Sequence, residues 1–217
     1  MPELHFEVES VEPQLFAASP MLLFKLRVSQ QPDTGTAVHS VLLRTQIRIE
    51  PTRRHYEPGE QDRLFDLFGE PQRWGQTLRS MLWTHAQSIV PAFQSSTTAE
   101  LLVPCTFDFN VAATKYFHAL EGGDIPLCLL FSGTVFYGGE SGALQVAQIS
   151  WEREANFRLP VDVWRQMMNH YYPNSVWLSV PEEVFERLRR YKAQHHLASW
   201  DEALEKLLPA EIEEVAS

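Results

Sequence analysis

Three N-terminal segments alternate apolar and polar side chains with a period of two, and this pattern constrains the fold more than any other feature of the chain. The first begins at Leu4, the second at Leu22, and the third covers residues 38–50. Such alternation is typical of strands that bury one face and leave the other in water. Because parallel sheets carry helices on both faces, a sheet with one wet face is predicted to be antiparallel.

The polar faces of these segments carry charges of both signs. Glu7 and Glu9 of the first segment can face basic residues of either the second or the third, and cross-strand ion pairs contribute about 0.2–1 kcal/mol each. Such pairing is the favoured interpretation of the arginine stripe at Arg44 and Arg48, over an anion-binding face. The basic run 53–56 is bracketed by acidic residues and is predicted to be a salt-bridged turn.

Two helices are predicted to follow the third strand. Residues 60–68 carry an apolar side and are followed by Gly69, which suits the left-handed residue that ends many helices. A longer amphipathic helix is predicted before Pro91. Its apolar stripe consists of Trp74, Leu78, Leu82 and Ile89.

The second half of the chain shows a similar order of elements. Alternation over 105–111 predicts a strand, and the stretch 126–137, which is apolar on both faces, predicts a central buried strand. A further strand is predicted at 143–151. Pro160 occupies the favoured first position of a predicted helix that runs to Tyr171.

These elements predict an α+β fold, with an antiparallel β-sheet from two loosely related halves, helices packed on one face, and a helical C-terminal appendage. The main domain is predicted to span 1–174, with halves of about 1–95 and 96–174. A strand-helix-helix appendage follows at 175–208, and the acidic residues 209–217 are predicted to form a frayed tail.

The appendage is similar in local order to ribbon-helix-helix repressors, a likeness carried by VWLSVPEEVFERLRRYKAQHHLASWDEALEKLL. Pro181 opens its first predicted helix, and Ser199 with Glu202 forms a capping box for the second. In those repressors the strands of a dimer enter the major groove and read bases. The strand 176–180 contains none of the arginine, lysine, asparagine or glutamine side chains that base readout uses. A DNA-binding dimer through 176–208 is therefore kept as a second alternative, and a helical add-on or dimerisation element is favoured.

The charge balance and the N-terminus bear on partners and on compartment. Acidic residues outnumber basic residues by 28 to 18, for a net charge of −10, so nucleic acid is disfavoured as a partner. The N-terminus lacks the basic and apolar regions of a secretory signal, and the longest apolar stretch, 125–137, is too short to cross a bilayer. The protein is therefore expected in the cytoplasm, without membrane insertion. Cys105 and Cys128 are too few for a disulfide framework or a four-ligand zinc site and are interpreted as buried small apolar residues.

The sequence lacks the phosphate-binding, dinucleotide-binding, serine-hydrolase and zinc-protease motifs. No catalytic residue, metal site or cofactor is predicted, and a non-enzyme is favoured over an enzyme. One alternative is a small-ligand-binding protein or enzyme with a polar site. The candidate residues for that site are Arg44, Arg48, Asp108, Asn110 and His118. A solvated strand face explains them more simply, because Asp108 and Asn110 share one face of a predicted strand.

Aromatic and methionine side chains are concentrated near the end of the main domain. They are Trp151, Trp164, Met167, Met168, Tyr171, Tyr172 and Trp177. Side chains of this kind generally fill a core, which is the default interpretation. If several are exposed together, they would form a protein-binding surface, because large apolar patches on soluble proteins mark interfaces and methionine adapts to varied partners.

Five segments together resemble an uncharacterised bacterial family, a domain of unknown function, from about Leu4 to Leu208. They are LLRTQIRIEPTRRHY, LFGEPQRWGQTL, VPCTFDFNVAATKYFHAL, IPLCLLFSGTVFY and LPVDVWRQMMNHYYPNSVWL. Members of that family occur beside the genes of oxygen-tolerant uptake nickel–iron hydrogenases. The resemblance implies an accessory, assembly or maturation role and brings no catalytic residue with it. The order of sheet and helix is also similar to that of the export chaperone SecB.

The leading hypothesis is therefore a non-catalytic accessory protein, a scaffold or chaperone-like factor in the assembly or maturation of a nickel–iron hydrogenase. Its expected partner is a protein, such as a hydrogenase subunit or a maturation factor, and a homodimer is left open. This hypothesis is motivated by the family context, by the aromatic and methionine cluster and by the lack of catalytic motifs, since gene neighbourhood alone does not fix chemistry.

Overall fold

The computed structural model describes most of the chain. The described residues are 2–30, 36–106, 111–139, 142–175 and 178–208. They fall into two compact units, one ending at Ser175 and the other beginning at Val176.

The first unit alternates groups of strands with short helices. Its described strands are β1 (Leu4–Pro13), β2 (Met21–Gln30), β3 (Val38–Ile49), β4 (Met81–Val90), β5 (Ser96–Pro104), β6 (Asp124–Gly138), β7 (Leu144–Gln148) and β8 (Glu154–Pro160). Its described helices are α1 (Pro58–Arg63), α2 (Phe65–Phe68), α3 (Trp74–Thr77), α4 (Val111–Ala119) and α5 (Val161–Tyr171), with 3₁₀ turns at Pro51–Arg53 and Pro71–Arg73.

The strand pairs of the described residues are antiparallel and form two sheets. The first sheet has the order β1-β2-β5. In the second, β4 and β6 flank β3, and the far edge of β6 pairs with β7 near one end and with β8 near the other. The predicted α+β class with antiparallel strands is confirmed, although the strands form two sheets instead of one. Each sheet contains strands from both predicted halves.

The two sheets pack face to face and enclose the core. Phe6 of β1 stacks on Phe131 of β6 with ring centroids 4.4 Å apart, and Phe24 of β2 meets Trp83 of β4 edge-on. The alternation predicted for the first three strands is confirmed over most of their length, because alternate residues such as Leu43 in β3 are buried between the sheets. Register shifts interrupt it after Val8 in β1 and after Val38 in β3. One face of each sheet supplies this core, so the other face of each is turned away from it.

The first strand forms its ion pairs with β2, one of the two arrangements that the sequence left open. Glu7 lies opposite Arg27 in the register, and Arg27 Nη1 lies 3.8 Å from Glu9 Oε1. Because these side chains are solvated, each pair contributes at most about 1 kcal/mol. Arg44 and Arg48 of β3 lie in the other sheet, so the carboxylates of β1 do not explain the arginine stripe.

The long helix predicted before Pro91 is wrong. Only Trp74–Thr77 is helical there, and β4 follows at Met81–Val90 as a neighbour of β3. Leu82 and Ile89 fit a helical stripe by spacing alone, and both are exposed in the strand. Backbone pairing along nearly the whole of β3 outweighs so weak a helical period, because local propensities amount to fractions of a kcal/mol per residue.

The strand predicted at 105–111 is not seen in the described residues of that range. Its residues 107–110 lie outside the described residues, β5 ends before them at Pro104, and Val111 begins α4. The sequence did contain a signal for α4, because four buried residues follow the spacing of one helix face. They are Ala113, Tyr116, Phe117 and Leu120.

The remaining elements of the first unit largely follow the predictions. The central strand predicted at 126–137 is present as β6, but it is buried on both faces only in its first part, and Ser132 is exposed. The strand predicted at 143–151 is present as the shorter β7. The helix predicted at 60–68 is present as α1 and α2, followed by Gly69 with a φ of +72°. The strand β8 was not predicted, and Pro160 is the capping residue before α5 instead of its first residue.

The second unit contains two described helices, α6 (Glu182–Gln194) and α7 (Trp200–Leu207). Pro181 is the capping residue before α6. Of the strand predicted at 176–180, residues 176–177 lie outside the described residues and 178–180 are not in a strand. None of the helices in the described part of the chain is long and apolar enough to cross a membrane.

The start of α7 is fixed by side-chain capping. Ser199 Oγ accepts a hydrogen bond from the Glu202 N–H at 3.1 Å, as the predicted capping box requires. The reciprocal bond is displaced by one residue, because Glu202 Oε2 accepts from the Ala198 N–H at 2.9 Å. A cap of this kind stabilises a helix by about 1 kcal/mol.

Candidate protein-binding face

The second sheet has one face turned away from the core, which we call the outer face. Its side chains alternate with the buried residues of the same strands. They are Leu82, His85, Gln87 and Ile89 of β4; Leu42, Arg44, Gln46 and Arg48 of β3; Cys128, Leu130, Ser132, Thr134 and Phe136 of β6; Leu144, Val146 and Gln148 of β7; and Glu154, Asn156 and Arg158 of β8. The register of five strands therefore brings together residues that are far apart in the sequence.

One end of the outer face is apolar. Leu42 and Ile89 lie directly opposite each other in the β3–β4 register and are 48% and 69% exposed. On the other side of β6, Val146 lies opposite Phe136, and Leu144 is also exposed. We call these five residues the apolar end. Four of the five are exposed and Phe136 is half-buried, and a cluster of apolar side chains of this kind on a soluble protein is typical of an interaction surface.

The other end of the outer face is basic. Arg44 and Arg158 are exposed, and Arg48 is held by a hydrogen bond of 2.8 Å from its Nε to Ser80 Oγ. We call these three arginines the arginine end. Two carboxylates lie beside these arginines. Glu154 is on β8, and Glu50, which follows β3, accepts a hydrogen bond from Ser80 Oγ, the hydroxyl that also binds Arg48. Three arginines beside two carboxylates leave this end with an excess of positive charge, in a chain whose net charge is −10.

The two cysteines are not arranged to react as thiolates. Burial raises the pKa of the Cys128 thiol, and the neighbouring Glu154 carboxylate raises it further. Burial also raises the pKa of Cys105. Because only the thiolate is a good nucleophile or metal ligand, both side chains are inert near neutral pH. In the part of the chain that the structure describes, no three histidine, cysteine or carboxylate side chains are grouped to hold a metal ion.

The polar site predicted as an alternative lies only partly within the described residues. Arg44 and Arg48 share the outer face. Asp108 and Asn110 fall outside the described residues. The open face around the two arginines has no enclosing wall in the described residues of these strands, since Arg44 and its neighbour Ser132 are both exposed.

His118 lies elsewhere in the fold, on α4. Its ring packs edge-on against Trp164 of α5, with the ring centroids 4.7 Å apart. Burial lowers the pKa of His118, and the charge of Arg165 lowers it further. The imidazole is therefore neutral near neutral pH and acts as a packing residue, apart from the two arginines of the predicted site.

Most of the predicted aromatic and methionine cluster belongs to the core. Trp164, Met167 and Met168 are buried, and Tyr172 is half-buried against them and their neighbours. These four side chains therefore follow the default interpretation from the sequence and do not form an exposed patch.

The other members of that cluster have different surroundings. Tyr171 Oη accepts a hydrogen bond from the Ala17 N–H at 3.1 Å and so fixes the loop between β1 and β2. Trp177 lies outside the described residues. Trp151 is 84% exposed on the turn between β7 and β8, the two strands at the edge of the outer face. Trp151 alone among the described members has the exposure that a partner-binding side chain needs.

A buried ion pair joins the strands that carry the outer face. Arg54 Nη2 lies 2.5 Å from Glu60 Oε1, and the two side chains are only 10% and 2% exposed. The same guanidinium donates to the carbonyl oxygens of Gly122 and Asp124 at 2.7 Å, and Glu60 Oε1 also accepts from the Glu121 N–H. The predicted salt-bridged turn is confirmed. Because Arg54 follows β3 and Asp124 begins β6, the pair fixes the two central strands relative to each other.

Two tyrosine hydroxyls lie beside this ion pair in the core. Tyr56 Oη donates to the Pro51 carbonyl at 2.8 Å, so its hydrogen bond of 2.8 Å with Tyr116 Oη is donated by Tyr116. Burial raises the pKa of Tyr116 to about 12, and burial followed by the neighbouring Tyr116 raises that of Tyr56 still more. Both hydroxyls therefore keep their protons at a pH where exposed tyrosines lose them.

These shifts predict that the folded protein loses stability in alkali. An unfolded tyrosine ionises near pH 10, so above that pH the unfolded chain binds fewer protons than the folded one, and stability falls as pH rises. Between pH 10 and its folded pKa, each tyrosine lowers the free energy of unfolding by up to about 1.4 kcal/mol per pH unit. We expect the urea midpoint to fall between pH 10 and 12, with a shallower slope in the Tyr116→Phe variant. Equal slopes for the two proteins would contradict this assignment.

Two packed antiparallel sheets, one of them with an exposed apolar and basic face, define this chain as an α+β sandwich with a separate pair of helices. It belongs to the family described as "Family of unknown function (DUF6084)", whose model matches residues 1–216. The resemblance of the sequence to a family of unknown function is thereby confirmed. No curated protein matches the sequence significantly.

The chain shows a weak similarity to one solved structure. It is a crystal structure of selenomethionine-labelled beta-glucosidase from Kluyveromyces marxianus, similar at a TM-score of 0.24 and 9% identity over 72% of this chain. The matched region covers 15% of that protein. A likeness this low carries no argument about fold or function.

Proposed function

We propose that this protein is a non-catalytic accessory protein, a scaffold or chaperone-like factor that binds a partner protein on the outer face. The family resemblance suggests the partner class, which is a nickel–iron hydrogenase subunit or one of its maturation factors. In this proposal the protein acts in the cytoplasm.

The observation that carries the proposal is the apolar end of the outer face beside its arginine end. The first sheet differs, because its polar side chains form ion pairs with one another, such as Lys25 with Glu12 at 3.1 Å. Burying the apolar end would contribute about 25 cal/mol per Å² of apolar area. Charges at the rim of such a contact mainly direct orientation and specificity. The outer face thus combines a source of affinity with a source of selectivity.

The chemistry of this face also limits the partner. Arginine guanidinium groups bind carboxylates through paired hydrogen bonds, so Arg44, Arg48 and Arg158 favour an acidic surface. The partner should therefore present an apolar patch flanked by carboxylates. Trp151, at the edge of the outer face, extends the surface that such a partner can contact.

The proposal is tested by purifying tagged protein from its native host with the hydrogenase genes intact and identifying bound proteins by mass spectrometry. We expect enrichment of a hydrogenase subunit or maturation factor with the unaltered protein. The Leu42→Glu variant should lose at least about tenfold of that enrichment, because a buried unpaired carboxylate costs several kcal/mol.

A matched control separates the outer face from general effects on solubility. Leu102 lies on β5 of the first sheet and is 46% exposed, close to the exposure of Leu42, so Leu102→Glu should leave the enrichment unchanged. Absence of any hydrogenase-related protein would overturn the proposed partner class. Equal enrichment with both variants would overturn the outer face as the binding surface.

A further inference from the structure

The two helices of the second unit form a groove of about 480 Å³, and this groove is distinct from the outer face. It is lined by Val184, Arg187, Leu188, Arg190, Tyr191, Gln194 and Leu207. Its volume lies within the range of about 300–1,000 Å³ that is usual for binding pockets. The floor is apolar and two arginines lie along it.

The second unit leaves its apolar side chains largely unburied. Ala203 is its single fully buried residue among positions 178–208, whereas Val184, Leu204 and Leu207 are each exposed by two fifths or more. Helices shorter than about 12–15 residues are marginal in water unless an apolar face is packed against something. α7 has 8 residues and α6 has 13. A segment bound in the groove would therefore bury apolar side chains that are now exposed to water.

The charged residues that line the groove are of one sign. Its lining residues include Arg187 and Arg190 and no carboxylate. Arg189, one residue away, pairs with Glu186 at 2.9 Å, and the same carboxylate also interacts more weakly with the charge of Arg190. The groove is thus a positive strip on a unit whose described residues are otherwise rich in glutamate.

We propose that this groove binds an acidic, amphipathic segment of a protein partner, with apolar side chains against Leu188 and Leu207 and carboxylates on Arg187 and Arg190. Guanidinium–carboxylate pairs are charge-assisted and geometrically specific, so they set the orientation of the bound segment. A second copy of the groove is a poorer occupant. A symmetric dimer would bring four arginines into one interface, with no carboxylate among the lining residues to pair with them.

The test uses the full-length protein and two synthetic peptides. One 16-residue peptide repeats leucine and glutamate with helical spacing, and the other has lysine in place of every glutamate. We expect saturable binding of the fluorescein-labelled acidic peptide below about 1 mM, weakening with added salt, and no measurable binding of the basic one. Fluorescence anisotropy measures both.

Two neighbouring arginines supply the matched variants. Arg190→Gln should weaken binding of the acidic peptide about two- to fivefold, and adding Arg187→Gln should bring the loss to about tenfold. Arg189→Gln removes the same charge one residue away, outside the groove lining, and should change the affinity less than twofold. Circular dichroism of each variant establishes that α6 and α7 remain helical.

Several outcomes would overturn the proposal. Equal binding of the two peptides, or no binding of the acidic one at 1 mM, would contradict recognition of carboxylates by the groove. Equal losses for Arg189→Gln and Arg190→Gln place the contact outside the groove. A concentration-dependent dimer in sedimentation that dissociates on Leu207→Glu assigns the groove to a second copy. Binding that appears only after removal of residues 209–217 assigns it to the protein's own C-terminus.

Discussion

Replacing Glu60 by glutamine is expected to lower the free energy of unfolding by about 3–5 kcal/mol. Glu60 accepts hydrogen bonds from Arg54, from the Glu121 N–H and, through Oε2, from the Glu57 N–H. A glutamine amide has one acceptor oxygen, so its NH₂ group would face at least one of these donors. The Arg54 guanidinium would also remain buried without a counter-charge, which is the costliest way to break such a pair.

Urea unfolding followed by tryptophan fluorescence measures this loss, and a second ion pair in the same region serves as control. Arg63 Nη2 lies 2.7 Å from Glu121 Oε1, but both side chains are about half exposed. Glu121→Gln should therefore cost no more than about 1 kcal/mol. The geometry indicates that the buried pair fixes β3 to β6. An equal loss of unfolding free energy in Glu60→Gln and Glu121→Gln would contradict this.

Replacing Gly133 by alanine is expected to cost about 3 kcal/mol or more, since it introduces both a clash and backbone strain. Gly133 lies in the middle of β6 with a φ of +142°, a conformation that residues with a Cβ rarely adopt. A Cβ built there would lie 2.0 Å from the carbonyl oxygen of Leu42 on β3. Relief would require β3 and β6 to separate, and their ladder runs almost the full length of β3.

Gly75 provides the matched control for this substitution. It lies in α3, and a Cβ built on it meets no atom within 4 Å. Gly75→Ala should therefore raise stability by about 0.4–1 kcal/mol, because alanine favours the helix and restricts the unfolded chain. Unfolding midpoints in urea compare the two variants with the unaltered protein. A Gly133→Ala protein as stable as the unaltered one would show that β3 and β6 are not held at this distance.

The elements that were predicted correctly have signals confined to their own residues. In β1, β2 and β3 the alternation is regular over most of each strand, so their existence and most of their inward residues follow from the sequence. The central strand β6 is evident from its long run of apolar residues, which Ser132 and Thr134 interrupt. Leu82 and Ile89 misled the prediction of β4, because both are apolar residues on an exposed face and happened to match a helical spacing.

The candidate binding face depended on information that a single sequence does not contain. Leu42 and Ile89 become neighbours only through the register of β3 with β4, and Val146 joins them only across β6. The stripe of Arg44 and Arg48 is evident in the sequence, but its surroundings are not. The sequence does not show that β3 and β1 belong to different sheets, so it does not show which carboxylates lie near these arginines. The buried Arg54–Glu60 pair was expected as a turn, and its burial became evident only from the fold.

The pairing of β3 with β6 also determines when this domain can fold during synthesis. Ile49 pairs with Leu127, so β3 and β4 leave the ribosome long before the strand that completes their sheet. Until β6 emerges, one edge of β3 has unpaired backbone groups, and the core residues that pack on Phe131 are exposed to water. Contacts this distant in sequence slow folding and leave strand edges open to wrong partners in the meantime. The nascent chain therefore passes through a long aggregation-prone interval, which ends when β6 closes the sandwich.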